Sequence, residues 1–142
     1  RRQRQMCIRD SYYTLVRCQR PVVCWDFVAA LLDAGCRARV YADAVPVFDF
    51  ARDLAREGAI PGGSRKNLAY VSPLTDFDRA VDETTRLVLA DAQTSGGLLI
   101  AVAPEDESQL VAELDAEETL ARAVGGELVE GLPGSLEVGA GF

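Results

Sequence analysis

Histidine is absent from the 142 residues of this chain. That removes Ser-His-Asp and Cys-His catalysis from the stretch and leaves no imidazole for a mixed zinc site. Cysteine is sparse: Cys7, Cys18, Cys24 and Cys36, at spacings that match no common zinc pattern. Free thiols are the expected state in a cytosolic chain of this kind, and Cys36 reads as a packing residue. Long apolar runs are also missing. None approaches the roughly 20 residues that cross a bilayer, and the N-terminal residues have no apolar core of the signal-peptide type. A cytoplasmic protein with no membrane partner is the expectation.

The composition that remains is that of a globular protein, 49% hydrophobic and 26% charged, and its length suits one compact domain. Charge is unevenly spread. Residues 1–20 hold six Arg against one Asp, a net +5, whereas residues 21–142 carry a net −12. The acidic body excludes a nucleic-acid or anionic-membrane surface as its main role. An arginine-rich head can be a nucleic-acid arm or a targeting segment. Here Arg1 to Ser11 resembles translated sequencing-adapter read-through, and the composition changes near Pro21. Residues 1–20 are therefore expected to be a non-native or disordered head whose removal leaves stability unchanged. Residues 21–142 are expected to form the domain.

Local patterns predict alternating helices and strands. A helix over Phe27–Ala34 has Asp26 available as cap and Gly35 as its stop. Arg37 to Ala42 alternates polar and apolar residues, as a strand with one wet face does. A helix from Val45 to Glu57 follows, capped by Asp43, with Pro46 in its first turn and Val47, Phe50, Ala51 and Leu54 facing inward. Ser64 is placed to cap a short helix through Tyr70. Thr75 to Asp78 reads as a turn and Ala80 to Ala90 as a helix with an acidic start. Leu98 to Val102 is a short, continuously apolar run that suits a strand covered on both faces. A helix begins at Pro104 with Leu110, Val111 and Leu114 inside, and Glu127–Glu130 and Ser135–Val138 read as a terminal hairpin. The order implies an α/β (α+β) domain, a mixed β-sheet of about four to six strands with helices packed on it.

Two polar loops stand out for chemistry. Gly62-Gly63-Ser64 at a helix start offers free backbone N–H groups and the positive end of a helix dipole to an anion, with Arg65 and Lys66 alongside. The Walker A spacing is absent, and by composition alone a turn and a helix cap account for these residues. The second loop, Asp91 to Gly97, joins an acid, an amide, two hydroxyls and a Gly pair just before the apolar strand. Asp91 can order its loop through backbone N–H groups, serve as a lone Mg²⁺ ligand, or sit opposite a basic residue across a domain interface, and loop ordering is the better reading because one carboxylate makes a thin metal site. Asp76, Asp78 and Glu105-Asp106-Glu107 read as solvated turn and helix-start charges.

Asp91-x-Gln93-Thr94-Ser95-Gly96-Gly97-Leu98-Leu99 resembles a C-terminal signature of selenophosphate synthetases (selenide, water dikinases). Pro61-Gly62-Gly63-Ser64-Arg65-Lys66-Asn67 is similar to a second segment of that family in the same order, and Val45-Pro46-Val47 to a third feature. The resemblance covers about Asp26 to Val138 and implies the C-terminal domain of that enzyme, cut at its N-terminus. The fold it implies is that of the aminoimidazole ribonucleotide synthetase-like superfamily, with a strand near Ala121 to Val124. The implied reaction makes selenophosphate from selenide, ATP and water, with release of AMP and phosphate, for selenocysteine and selenouridine synthesis. ATP and Mg²⁺ are its implied cofactors, the enzyme's own N-terminal ATP-binding domain its partner, and a homodimer its implied assembly.

In that family the reactive Cys or selenocysteine, an essential Lys and most Mg²⁺-binding Asp residues lie in the N-terminal domain. No catalytic residue and no metal ligand is therefore assigned here, and the stretch alone is expected to be inactive and to bind no cofactor. The family's metal-binding Asp at the entrance to this domain has no counterpart, since Asp26 does not fit the position. The cleft-facing candidates are Gly62, Gly63, Ser64, Arg65, Asn67, Asp91, Gln93, Thr94, Ser95, Gly96 and Gly97. Alternatives are another ATP-using synthetase of the superfamily, such as aminoimidazole ribonucleotide synthetase or the hydrogenase-maturation dehydratase, and a non-catalytic association domain.

Overall fold

The computed structural model describes residues 13–17, 25–91, 99–119 and 121–141. Helix α1 (Trp25–Ala34) leads into strand β2 (Arg37–Tyr41), after β1 (Tyr13–Arg17). Helices α2 (Asp49–Arg56) and α3 (Gly62–Val71) follow, then β3 (Thr75–Phe77) and α4 (Glu83–Leu89). The last third holds β4 (Leu99–Val102), α5 (Glu107–Ala116), β5 (Ala123–Val129) and β6 (Leu136–Gly139). The strands form one mixed sheet in the order β3-β6-β2-β5-β1-β4. β6 lies parallel to β2 and β3, and the pairs β2–β5, β5–β1 and β1–β4 are antiparallel.

The alternation expected of β2 is observed: Ala38 and Val40 are fully buried, while Arg37, Arg39 and Tyr41 lie half-buried on the other face. The buried face joins Leu128 of β5 and Leu136 and Val138 of β6 with Val28 and Leu31 of α1, Val71 of α3 and Leu89 of α4. That burial is the main favourable term holding the helices to the sheet. The opposite face carries a charged row. Arg39 donates from Nη1 to Glu127 Oε1 at 2.8 Å and from Nε to Glu137 Oε2 at 3.3 Å. Arg37 Nη2 lies 3.5 Å from the same Glu137 carboxylate. The Glu127 hydrogen bond, with Glu137 assisting, holds the Arg39 guanidinium protonated above its ordinary range.

Several expectations are corrected. Asp26 lies inside α1, which starts at Trp25, so it is not the cap. Asp43 and Ala44 form a turn, with Ala44 N–H donating to the Tyr41 carbonyl, and this holds the chain out of helix until Phe48. With α2 starting at Asp49, Ala55 is its buried residue; Phe50 and Leu54 are exposed, and the Phe48 and Phe50 rings stack at 5.4 Å. Thr75–Phe77 is a strand rather than a turn, because β6 supplies a partner far along the chain. β4 is half-buried at the end of the sheet rather than covered on both faces.

The terminal hairpin is replaced by a split pair. β2 lies between β5 and β6, and the connection crosses the start of β2, with Gly134 N–H donating to the Cys36 carbonyl at 3.0 Å. Gly134 makes that crossing at φ +76°, a conformation glycine adopts without steric cost. The strand expected near Ala121–Val124 and the one expected from Glu127 are one element, β5. Tyr13–Arg17, which lies within the arginine-rich residues 1–20, is β1, seated between β5 and β4. No helix among the described residues is long and apolar enough to cross a membrane.

Candidate functional site

Pro61 sits at the N-cap of α3 in an extended conformation, and the helix begins at Gly62. Ser64 was expected in the capping position, but it is the third helical residue. Its N–H donates to the Pro61 carbonyl, and its side chain turns inward to 1% exposure. There its hydroxyl donates to Asp91 Oδ1 at 2.6 Å. A hydroxyl–carboxylate bond of this length is charge-assisted and among the stronger kinds. One helical turn on, Asn67 Nδ2 donates to the Ala90 carbonyl at 3.1 Å. Ala90 caps the C-terminal end of α4 and is fully buried, so its carbonyl has no ready exchange with water.

The start of α3 and the end of α4, up to Asp91, are thus brought together. Gly62 is exposed and has open space where a Cβ would stand; Gly63 is half-buried. Arg65 and Lys66 are exposed beside them. The first N–H groups of a helix have no partner within it, so this end combines free donors, a helix dipole and two cationic side chains. Lys66, Asn67, Tyr70 and Val71 line an adjoining open cavity of about 340 Å³.

Gln93, Thr94, Ser95, Gly96 and Gly97 lie outside the described residues. Asp91 stands at the junction with its Oδ1 engaged by the Ser64 hydroxyl. Among the described residues no cluster of three or more His, Cys, Asp or Glu side chains is placed to hold a metal ion. Asp78 accepts from Ala80 N–H at 2.7 Å within its turn, and Asp76, Glu105 and Asp106 are exposed. Arg86, which the sequence reading passed over, is structural: it donates to the Val81 and Asp78 carbonyls and lies over the Phe77 ring at 4.8 Å. No local pattern marked Ser64 as a buried tie, since its partner is 27 residues away.

Residues 27–138 match the family described as AIR synthase related protein, C-terminal domain. Among curated proteins, the chain is 46% identical over 100 residues to a selenide, water dikinase of Pelobacter propionicus, covering 70% of this chain and 29% of that protein. It is 38% identical over 101 residues to a selenide, water dikinase of Carboxydothermus hydrogenoformans, covering 71% and 29%. A third, from Myxococcus xanthus, is 36% identical over 106 residues, covering 75% and 30%. The matched stretch spans less than a third of the length of each of these relatives.

Proposed function

This chain belongs to the AIR synthase related proteins, as a C-terminal domain of that family, and on that premise we propose that it forms one wall of the nucleotide cleft of a selenophosphate synthetase. The full enzyme would convert ATP, selenide and water to selenophosphate, AMP and phosphate. The observation that carries the reading is the junction of α3 with α4. Ser64–Asp91 and Asn67–Ala90 tie one segment that resembles selenophosphate synthetases to Asp91, the first residue of the other, while Gly62 and Arg65 are exposed.

Backbone N–H groups at the start of α3 and the Arg65 guanidinium suit the phosphates of ATP, a bidentate acceptor that arginine recognises well. Transfer from a polyphosphate rests on positioning and charge neutralisation rather than on covalent chemistry from the protein. This wall would contribute both, as donors fixed before the substrate arrives. Mg²⁺ would neutralise phosphate charge when bound. The described residues fit it poorly, with Asp91 as the one carboxylate at the junction and one of its oxygens taken by Ser64. Its ligands, like the reactive Cys or selenocysteine, belong to the N-terminal domain that this wall would face.

A chimera tests the proposal: residues 13–141, which keep β1 and so the ladder of β4, replace the corresponding segment of the Pelobacter propionicus relative. Selenide-dependent AMP release is expected from the chimera and none from the 142-residue chain alone. Arg65→Ala in the chimera should raise KM for ATP several-fold while unfolding stability stays within about 0.5 kcal/mol, the usual range for an exposed substitution. An unchanged KM would favour an association domain instead, a reading that has the exposed Phe48–Phe50 stack on its side.

A further inference from the structure

Two polar side chains are buried among the described residues, Ser64 at 1% exposure and Ser135 at 9%. Ser135 spends its hydroxyl locally, on the Leu132 carbonyl three residues back. Ser64 spends its hydroxyl on another element altogether, the carboxylate of Asp91. A buried hydroxyl is costly to leave without a partner, so this bond fixes where Asp91 must lie. Asn67 occupies the next turn of α3 and holds the preceding carbonyl, that of Ala90. Ala90 and Asp91 also return their N–H groups to α4, to the Arg86 and Val88 carbonyls. Two successive residues at the exit from α4 are therefore held from both sides, by α4 through their N–H groups and by α3 through their oxygens.

We infer that Ser64 and Asn67 are positioning residues that lock the start of α3 to the exit of α4, so that Gly62, Arg65 and Asp91 move as one rigid wall. The Ser64 hydroxyl and the Asn67 Nδ2 group are engaged in the α3–α4 seam, whereas Arg65, between them in sequence, is exposed. The purpose assigned to the wall, holding an ATP polyphosphate against fixed donors, rests on the function proposed above. The lock itself does not.

Amide hydrogen exchange on the 142-residue chain tests the lock. In Ser64→Ala, the Ala90 and Asp91 amides should exchange faster by on the order of tenfold or more, while amides of β2 and β6 keep their rates. Asn67→Ala should act at the same two amides. Asp91→Asn keeps an acceptor oxygen and should act less than Ser64→Ala, which guards against a Ser64 variant that is merely less stable. Equal acceleration in the seam and in β2 and β6, or no acceleration anywhere, would overturn the lock. In the chimera, Ser64→Ala should raise KM for ATP and Arg65→Ala should do so without altering exchange at Ala90. Selective exchange with KM for ATP unchanged in both variants would keep the lock and refute the nucleotide reading.

Discussion

Asp82 shows how one side chain sets a helix boundary. It is the N-cap of α4, in extended conformation, and its Oδ1 accepts from Thr85 N–H at 2.7 Å. The hydrogen bonds from the Thr85 backbone and side chain hold the Asp82 carboxyl below its ordinary value, against a small opposing effect of burial. A carboxyl with a depressed folded-state pKa stabilises the protein above its unfolded pKa and loses that contribution as pH falls through the folded value. Asp82→Ala should therefore cost about 1 kcal/mol near neutral pH. The difference between variant and parent should begin to shrink as pH falls below the ordinary Asp value of about 4 and be gone only below the depressed folded value. Urea unfolding at pH 7 and pH 3 checks this, and an equal difference at both would assign the cost to something other than the charge. Ser64 shows the limit of such reasoning from sequence. A Ser after Gly-Gly at a helix start is an ordinary capping pattern, but its observed role depends on Asp91, which no local pattern can supply.

At the scale of elements, what the sequence disclosed was what local periodicity controls. β2 was legible because Arg37 to Tyr41 alternates, and α1 because Gly35 stops it at φ +70°. The two strands of the expected hairpin were found in the right places, yet their pairing was not legible, because β2 arrives from a hundred residues upstream to separate them. Sequence separation also hid β3, whose three residues are strand only through β6. Packing between β2 and β5 is close enough to be tested at one atom. A Cβ at Gly126 would stand 2.2 Å from the Arg39 carbonyl oxygen, and that oxygen belongs to backbone that cannot swing aside. Gly126→Ala should thus part the two strands and cost about 2–3 kcal/mol or more, well beyond an ordinary surface substitution. It should also loosen the Arg39–Glu127 bond that spans the same strand pair. A denaturation midpoint equal to the parent's would mean that β2 and β5 can separate without loss.

The whole molecule depends on a strand that composition had set apart. Residues 1–20 are expected to be dispensable because Arg1 to Ser11 resembles adapter read-through and the charge changes near Pro21; Tyr13–Arg17 nevertheless pairs with β5 along one edge and β4 along the other. Among the described residues β4 has no other strand partner, so its place in the sheet depends on β1. Charge contrast reports on solubility and partners, not on which backbone groups find hydrogen bonds. Deleting residues 1–17 would leave an unpaired edge on β5 and strip β4 of its ladder. Each lost backbone bond is worth about 0.5–1.5 kcal/mol net, so a loss of more than about 2 kcal/mol is expected. That is a large part of the roughly 5–15 kcal/mol that holds a typical domain together. Chemical unfolding of the truncated chain measures it, and hydrogen exchange should show β4 amides losing protection before those of β6. Unchanged stability after the deletion would mean that β4 finds another partner and that the body folds without the head.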